Sequence, residues 1–309
     1  MRSLSTSSRC STKGRPSGGA GRRRCSARAV ALTAAGAAVA ASALVVAGLA
    51  AWHNWRLSWQ PERAWAIASG GALAVGHPLE VAAAPATIDI ARLGEMQAAP
   101  GTALDLTETG RTHHRFTMSR GMIDVRLWAP PGRVVVHTPA GDVIDLGCIF
   151  SLVVNDAGTA NLSVRTGWVE LENAFGSRAI PAGASAGMAA DREPQVPVYD
   201  DASAAFRGAV RVVEMVGTDG GSTDLTVIAR EARARDVITL LMLSDVSGIG
   251  TETRRGLMAI AARFSTPPSA DAIDRIVGGD RDLFWRWYDS LPLPRMKNWW
   301  ANWRDAFPR

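Results

Sequence analysis

Residues 120–150 read RGMIDVRLWAPPGRVVVHTPAGDVIDLGCIF, and the alternation inside that stretch decides the fold class. In Met122 to Trp128, Ile123, Val125 and Leu127 point one way while Asp124 and Arg126 point the other, the period of two that belongs to a half-buried strand. Pro130-Pro131-Gly132 then stops the strand, because proline removes a ladder donor and glycine takes turn geometry. The same grammar returns in Val134 to His137, closed by Pro139-Ala140-Gly141, and in Ile149 to Val154, closed by Asn155-Asp156-Ala157-Gly158. Leu162 to Arg165, Trp168 to Glu172 and a turn at Pro181-Ala182-Gly183 continue it. Residues 64–190 therefore form an all-β domain of short strands, solenoid- or sandwich-like, without βαβ repeats.

Upstream lies the strongest local signal. Ala29 to Ala51 is 23 residues without a charge, and at a rise of about 1.5 Å per residue it spans the roughly 30 Å of a bilayer's hydrocarbon core. The chain's net charge of +5 is concentrated before it. Residues 1–28 carry eight Lys or Arg and no acid, which leaves 26 basic against 29 acidic groups in the rest. A basic tail beside an apolar run is a topology signal, whereas a nucleic-acid groove needs its cations spread over a folded face, so no nucleic-acid partner is expected. The tail, 1–28, is expected to be disordered and in the cytoplasm, 29–51 a transmembrane helix, Trp52, Trp55 and Trp59 an interfacial belt, and everything later outside the cytosol. A cleaved signal peptide is the competing reading, and a 23-residue run exceeds the usual apolar core of such peptides.

Five motifs then occur in a fixed order: Arg120-Gly121; Val136-His137-Thr138-Pro139-Ala140-Gly141; Leu146-Gly147-Cys148-Ile149-Phe150; Thr166-Gly167-Trp168-Val169; and Pro181-Ala182-Gly183. Their order resembles the FecR domain, with residues 113–189 as the core of the likeness. The nearest likeness is to a subset of FecR-domain proteins with W-A-P-P before the turn, here Trp128 to Pro131, and D-L-G-C, here Asp145 to Cys148. The resemblance implies a single-pass protein of the bacterial inner membrane with its β-domain in the periplasm. It also implies a sensor or regulator, with a sigma factor as the partner across the membrane. The family-motif positions are Gly121, Trp128, Pro139, Gly141, Gly147, Cys148, Phe150, Gly167, Trp168 and Gly183, all structural in role. The 28-residue tail is short for the cytoplasmic anti-sigma domain of the better-known members, and the HxxxCxxC zinc motif of some relatives is missing. The other reading is an envelope protein that binds glycan, a ligand or a neighbouring protein without signalling.

After a connector at 191–223, Asp224 to Val246 changes to helical spacing, with Leu225, Ile228, Ala232, Val237, Leu240 and Leu241 on one face. Thr251, Ser269 and Asp280 are candidate caps of further helices in a region running to 309. Trp285, Trp287, Trp299, Trp300 and Trp303 near the C-terminus suit packing on that region or contact with a lipid surface. No GxSxG, HExxH or P-loop is present, so neither an enzyme nor a cofactor is expected. His113, His114 and His137 read as strand-face residues, Asp200-Asp201 and Asp280/Asp282 as turns and caps, and Cys148 as a small buried apolar residue.

Overall fold

The computed structural model describes residues 22–216 and 222–292, with side chains from residue 40 and, in the second segment, from residue 223. Residues 1–21, 217–221 and 293–309 lie outside it, so the expectations for the start of the basic tail and for Trp299, Trp300 and Trp303 are not addressed. Two compact units divide between Trp55 and Arg56. The first holds most of helix α1 (Arg22–Leu57), which contains the uncharged stretch 29–51 and begins seven residues before it, so 22–28 of the tail expected to be disordered continue the same helical backbone. Among the described residues, no helix is long and apolar enough to cross a membrane; the side chains of the first eleven residues of that stretch are not among them.

The second unit begins with three two-residue strands, β1 (Trp65–Ala66), β2 (Ala72–Leu73) and β3 (Leu79–Glu80). Then follow β4 (Ala86–Ile90), β5 (Gly94–Ala98), β6 (Ala103–Thr109), β7 (His114–Leu127), β8 (Val134–Thr138) and β9 (Gly141–Asp145). The set closes with β10 (Ile149–Val154), β11 (Ala160–Thr166), β12 (Trp168–Asn173), β13 (Gly176–Pro181), β14 (Ala184–Met188) and β15 (Val198–Tyr199). One sheet runs β3-β6-β7-β8-β9-β12-β13 and the other β4-β5-β7-β10-β11-β14-β15. β7 belongs to both. All its pairings are antiparallel except that with β8.

The shared strand explains how one apolar core closes between two sheets. In its first half His114, Phe116 and Met118 are buried, and in its second half Ile123, Val125 and Leu127, so the inward set moves from even to odd numbers at the corner. A strand with a strict period of two cannot do this without a break in pleat. Gly121 makes the break at φ 105°, tight against Thr102, where a Cβ would come within 2.5 Å of the Thr102 Cα. Gly121 is therefore a bend inside one long strand. The sheet curls back on itself at β7 into a sandwich-like arrangement, and strand β9 adds a pairing between β8 and β12 that the sequence reading did not include.

Registers give this sandwich two ends. Gly94, Leu127, Ile149, Thr166, Asp145, Trp168, Pro181, Thr109 and His114 share one, where Gly94 pairs with Leu127, Ile149 with Thr166, Asp145 with Val169, Trp168 with Pro181 and Thr109 with His114. The turns at 99–102, 139–140, 155–159 and 174–175 share the other.

Helices follow. α2 (Ala204–Val216) lies inside the expected connector 191–223 and buries Phe206, Ala209, Val210 and Val213, an i, i+3, i+4, i+7 stripe. The single helical run expected over 224–246 is two helices, α3 (Ser222–Glu231) and α4 (Val237–Ser244). They are separated at a 3-10 turn, Ala234–Asp236, where buried Asp236 accepts from the Arg233 amide at 2.9 Å and from its guanidinium. α5 (Thr251–Ala261) is capped at Gly250 and α6 (Ala272–Val277) at Asp271, so Thr251 and Ser269 are not the caps. α7 (Arg281–Asp289) starts at Asp280, whose carboxylate accepts from the Leu283 amide at 3.0 Å as expected. Trp287 is fully buried and donates to Ser265 Oγ at 3.1 Å, while Trp285 is 45% exposed.

Candidate functional site at the linker end

The family-motif positions separate into two groups. Pro139 and Gly141 lie at the far end, where Gly158 abuts Pro139 and Gly141 abuts Glu172, Asn173 and Met188. Gly121 is the bend, and Phe150 is a core side chain. Trp128, Gly147, Cys148, Gly167, Trp168 and Gly183 come together at the other end. Their contacts are largely backbone on backbone: Leu127 N donates to Cys148 O (3.0 Å), Gly132 N to Asp145 O (2.7 Å), Leu146 N to Trp168 O (3.2 Å), and Gly183 N to Val164 O (2.7 Å). Gly167 is left-handed at φ 80°, and a Cβ on it would stand 2.4 Å from the Gly147 carbonyl oxygen. Only glycine satisfies both demands. Asp145 is fully buried and turns its carboxylate back to accept from the Cys148 amide (3.0 Å) and thiol, so Cys148 anchors the turn through hydrogen bonding as well as burial.

The same end receives the chain as it leaves helix α1, at Arg56 to Trp65. The Arg56 guanidinium lies 4.4 Å over the Trp128 ring and donates to the Arg92 carbonyl at 2.9 Å. Arg92 donates back to the Ser58 carbonyl at 2.9 Å, and Trp128 N donates to Leu93 O at 2.7 Å. Trp59 is buried, donates to the Arg63 carbonyl at 2.9 Å and faces the guanidinium of Arg63 at 4.7 Å. It is a core residue of this unit, which corrects its expected place in an interfacial belt. Glu62 N donates to Thr109 O at 3.0 Å, tying the segment to the other sheet. Burial holds the Arg56 pKa below its ordinary value, the mark of a guanidinium drawn partly out of water.

Two residues in this zone stand out. Among the described residues, Glu62 (φ 60°) and Ala91 (φ 51°) are the non-glycine residues in left-handed conformation. One sits in the incoming segment, and the other opens the turn 91–93 that grips it.

Of the three histidines, His114 is buried, and the Thr109 hydroxyl accepts from Trp65 Nε1 (3.1 Å) and reaches His114 Nδ1 at 2.8 Å. Burial first, then the charges of His113 and Arg133, push its pKa down to about 4. His113 pairs with Glu108 at 2.7 Å and His137 with Asp142 at 2.5 Å, so the three are not brought to one point. Among the described residues no three His, Cys, Asp or Glu side chains are grouped to hold a metal ion. A groove of about 660 Å³ at the far end is lined by Phe175, Arg192, Gln195, Met215, Glu193 and Glu214, the last two held by Arg178 (2.8 Å) and Arg211 (2.6 Å). Asp200 accepts from Ser185 (2.5 Å) and Ser163 (3.3 Å), while Asp201 pairs with Arg233 (3.0 Å) and Arg235 (2.7 Å). These acids fasten the helices to the sandwich.

No family model and no curated protein matches the chain, so the FecR-like order of motifs stands as a resemblance. Similar solved structures include two crystal structures of a proposed anti-sigma factor from Parabacteroides distasonis ATCC 8503, at 1.65 Å and 2.50 Å resolution. They share 18% and 17% identity with the chain, at TM-scores of 0.36 and 0.35. Each likeness covers 43% of this chain and 63% of the other, less than two thirds of that protein's length. At that level the likeness assigns no activity.

Proposed function

We propose that the chain is a non-enzymatic, membrane-anchored regulator whose β-sandwich and helices lie in the periplasm and whose partner across the membrane is a sigma factor. The observation that carries this reading is convergence: the W-A-P-P and D-L-G-C motif residues meet where the incoming segment is seated, with Arg56 on Trp128. A domain that only binds a ligand has no need to build its most constrained turns around its own tether. A charge-free stretch preceded by a basic tail supports the anchor and its orientation. The buried acids and the histidines are engaged in turns, ion pairs and helix fastening, which supports binding and regulation over catalysis.

Reporter fusions after residue 309 test the topology: a periplasm-dependent reporter is expected to be active there, and activity of a cytosol-dependent one alone overturns the reading. Affinity capture of the full chain from solubilised membranes tests the partner. Recovery of a sigma factor, lost when residues 1–28 are deleted, is expected. Capture of envelope proteins alone, with transcription unchanged on deletion, favours the non-signalling alternative.

A further inference from the structure

The incoming segment is held by contacts of a particular kind. Its residues 60–63 are exposed, and its fastenings to the sandwich include a guanidinium over an indole, hydrogen bonds to the Arg92 and Thr109 carbonyls, and the return bond from Arg92 to Ser58. Trp59 is its apolar anchor. The sandwich beyond it is closed by continuous ladders of five or six pairs, as between β10 and its neighbours β7 and β11. Left-handed non-glycine residues persist only where the surroundings impose them, and they gather at switch regions. Here both such residues belong to one device, Glu62 in the segment and Ala91 in the turn that holds it.

We infer that residues 56–63 are a strained strap that opens as a unit while the sandwich stays folded, and that strap opening is the step by which the β-domain acts on the helix before it. This rests on the regulatory reading above and names its moving part. When the strap is seated, Arg56 caps Trp128 and turn 91–93 is fixed against the W-A-P-P segment. When it lifts, Glu62 is released from its left-handed conformation, turn 91–93 gives up its bond from Arg56, and the Arg56 contact with the Trp128 ring is broken.

Hydrogen exchange on the full chain in lipid nanodiscs tests this. The Glu62 amide reports the strap, and the amides of Phe150 to Val154 report the sandwich. In the wild-type chain the strap is expected to exchange at least a hundredfold faster than the sandwich. Arg56→Gln, which removes the cation without burying a new group, is expected to raise strap exchange about tenfold, equivalent to about 1.4 kcal/mol. Ala91→Gly and Glu62→Gly, which relieve the left-handed positions, are expected to lower it a few-fold, and none of the three is expected to change the sandwich rates. A strap that exchanges at the sandwich's own rate, or that is indifferent to all three substitutions, overturns the inference. That result would leave the topology and partner tests untouched, so the strap can fail without the regulatory reading failing.

Discussion

The two ends of the sandwich solve the same geometric problem differently. Both must turn the chain sharply between paired strands, which requires left-handed backbone. Among the described residues at the far end, each left-handed one is a glycine, as at Gly101, Gly141, Gly158 and Gly176. At the linker end Gly132, Gly147, Gly167 and Gly183 do the same work, yet Ala91 and Glu62 are held left-handed as well. An L-residue in that conformation costs about 1–2 kcal/mol, and a substitution to glycine would remove it. The difference teaches where the fold stores energy: among the described residues, the left-handed L-residues lie at the end that grips its own tether.

The largest expected effect sets one glycine at each end against the other. Gly167→Ala drives a Cβ into the Gly147 carbonyl at a left-handed position and is expected to cost about 4 kcal/mol or more in denaturant unfolding, enough to prevent folding. Gly158→Ala, whose Cβ would meet the side chain of Pro139 at 3.0 Å, is expected to cost about 1–2 kcal/mol. Equal costs would break the comparison.

Next comes acid. His114 lies at the linker end with its pKa lowered to about 4 from an ordinary 6.5. Between those values the unfolded chain takes up a proton that the folded chain refuses, so stability is complete above pH 6.5 and declines as pH falls towards 4. The loss amounts to roughly 3 kcal/mol at 1.36 kcal/mol per unit. Urea midpoints measured across that range should fall for the wild-type chain and fall much less for His114→Gln.

The smallest effect is a change of sign. Ala91→Gly is expected to stabilise the folded chain by about 0.5 kcal/mol, because relief of the left-handed backbone exceeds glycine's entropic cost. Ala157→Gly, in a far-end turn with ordinary backbone, is expected to destabilise by about the same amount. Paired thermal melts decide it, and destabilisation by both substitutions would remove the strain from Ala91.

Much of the sandwich was legible because Ile123, Val125 and Leu127, or Ile149 to Val154, carry their burial in plain alternation. Strand β9 was not, since Gly141-Asp142-Val143-Ile144-Asp145 holds only two apolar residues and puts a carboxylate in the core, where its meaning depends on Cys148. The continuation of β7 through Gly121 was hidden by the shift in parity. Helix α2 was readable from the spacing of Phe206, Ala209, Val210 and Val213, and the glycine- and aspartate-rich flank obscured it. The motif glycines announced tight turns but not which turns meet. That Trp128 faces Arg56, 72 residues earlier, is a product of topology that no local pattern encodes.

The seating of the incoming segment on the motif end is tested most directly by a double-mutant cycle between Arg56→Gln and Trp128→Leu, read as opening free energy at the Glu62 amide in the full chain. A guanidinium stacked on an indole at a half-buried site predicts that the two substitutions are non-additive by about 1–2 kcal/mol. Additive effects, with a coupling near zero, would show that the tether and the W-A-P-P turn do not sense each other and would contradict the account.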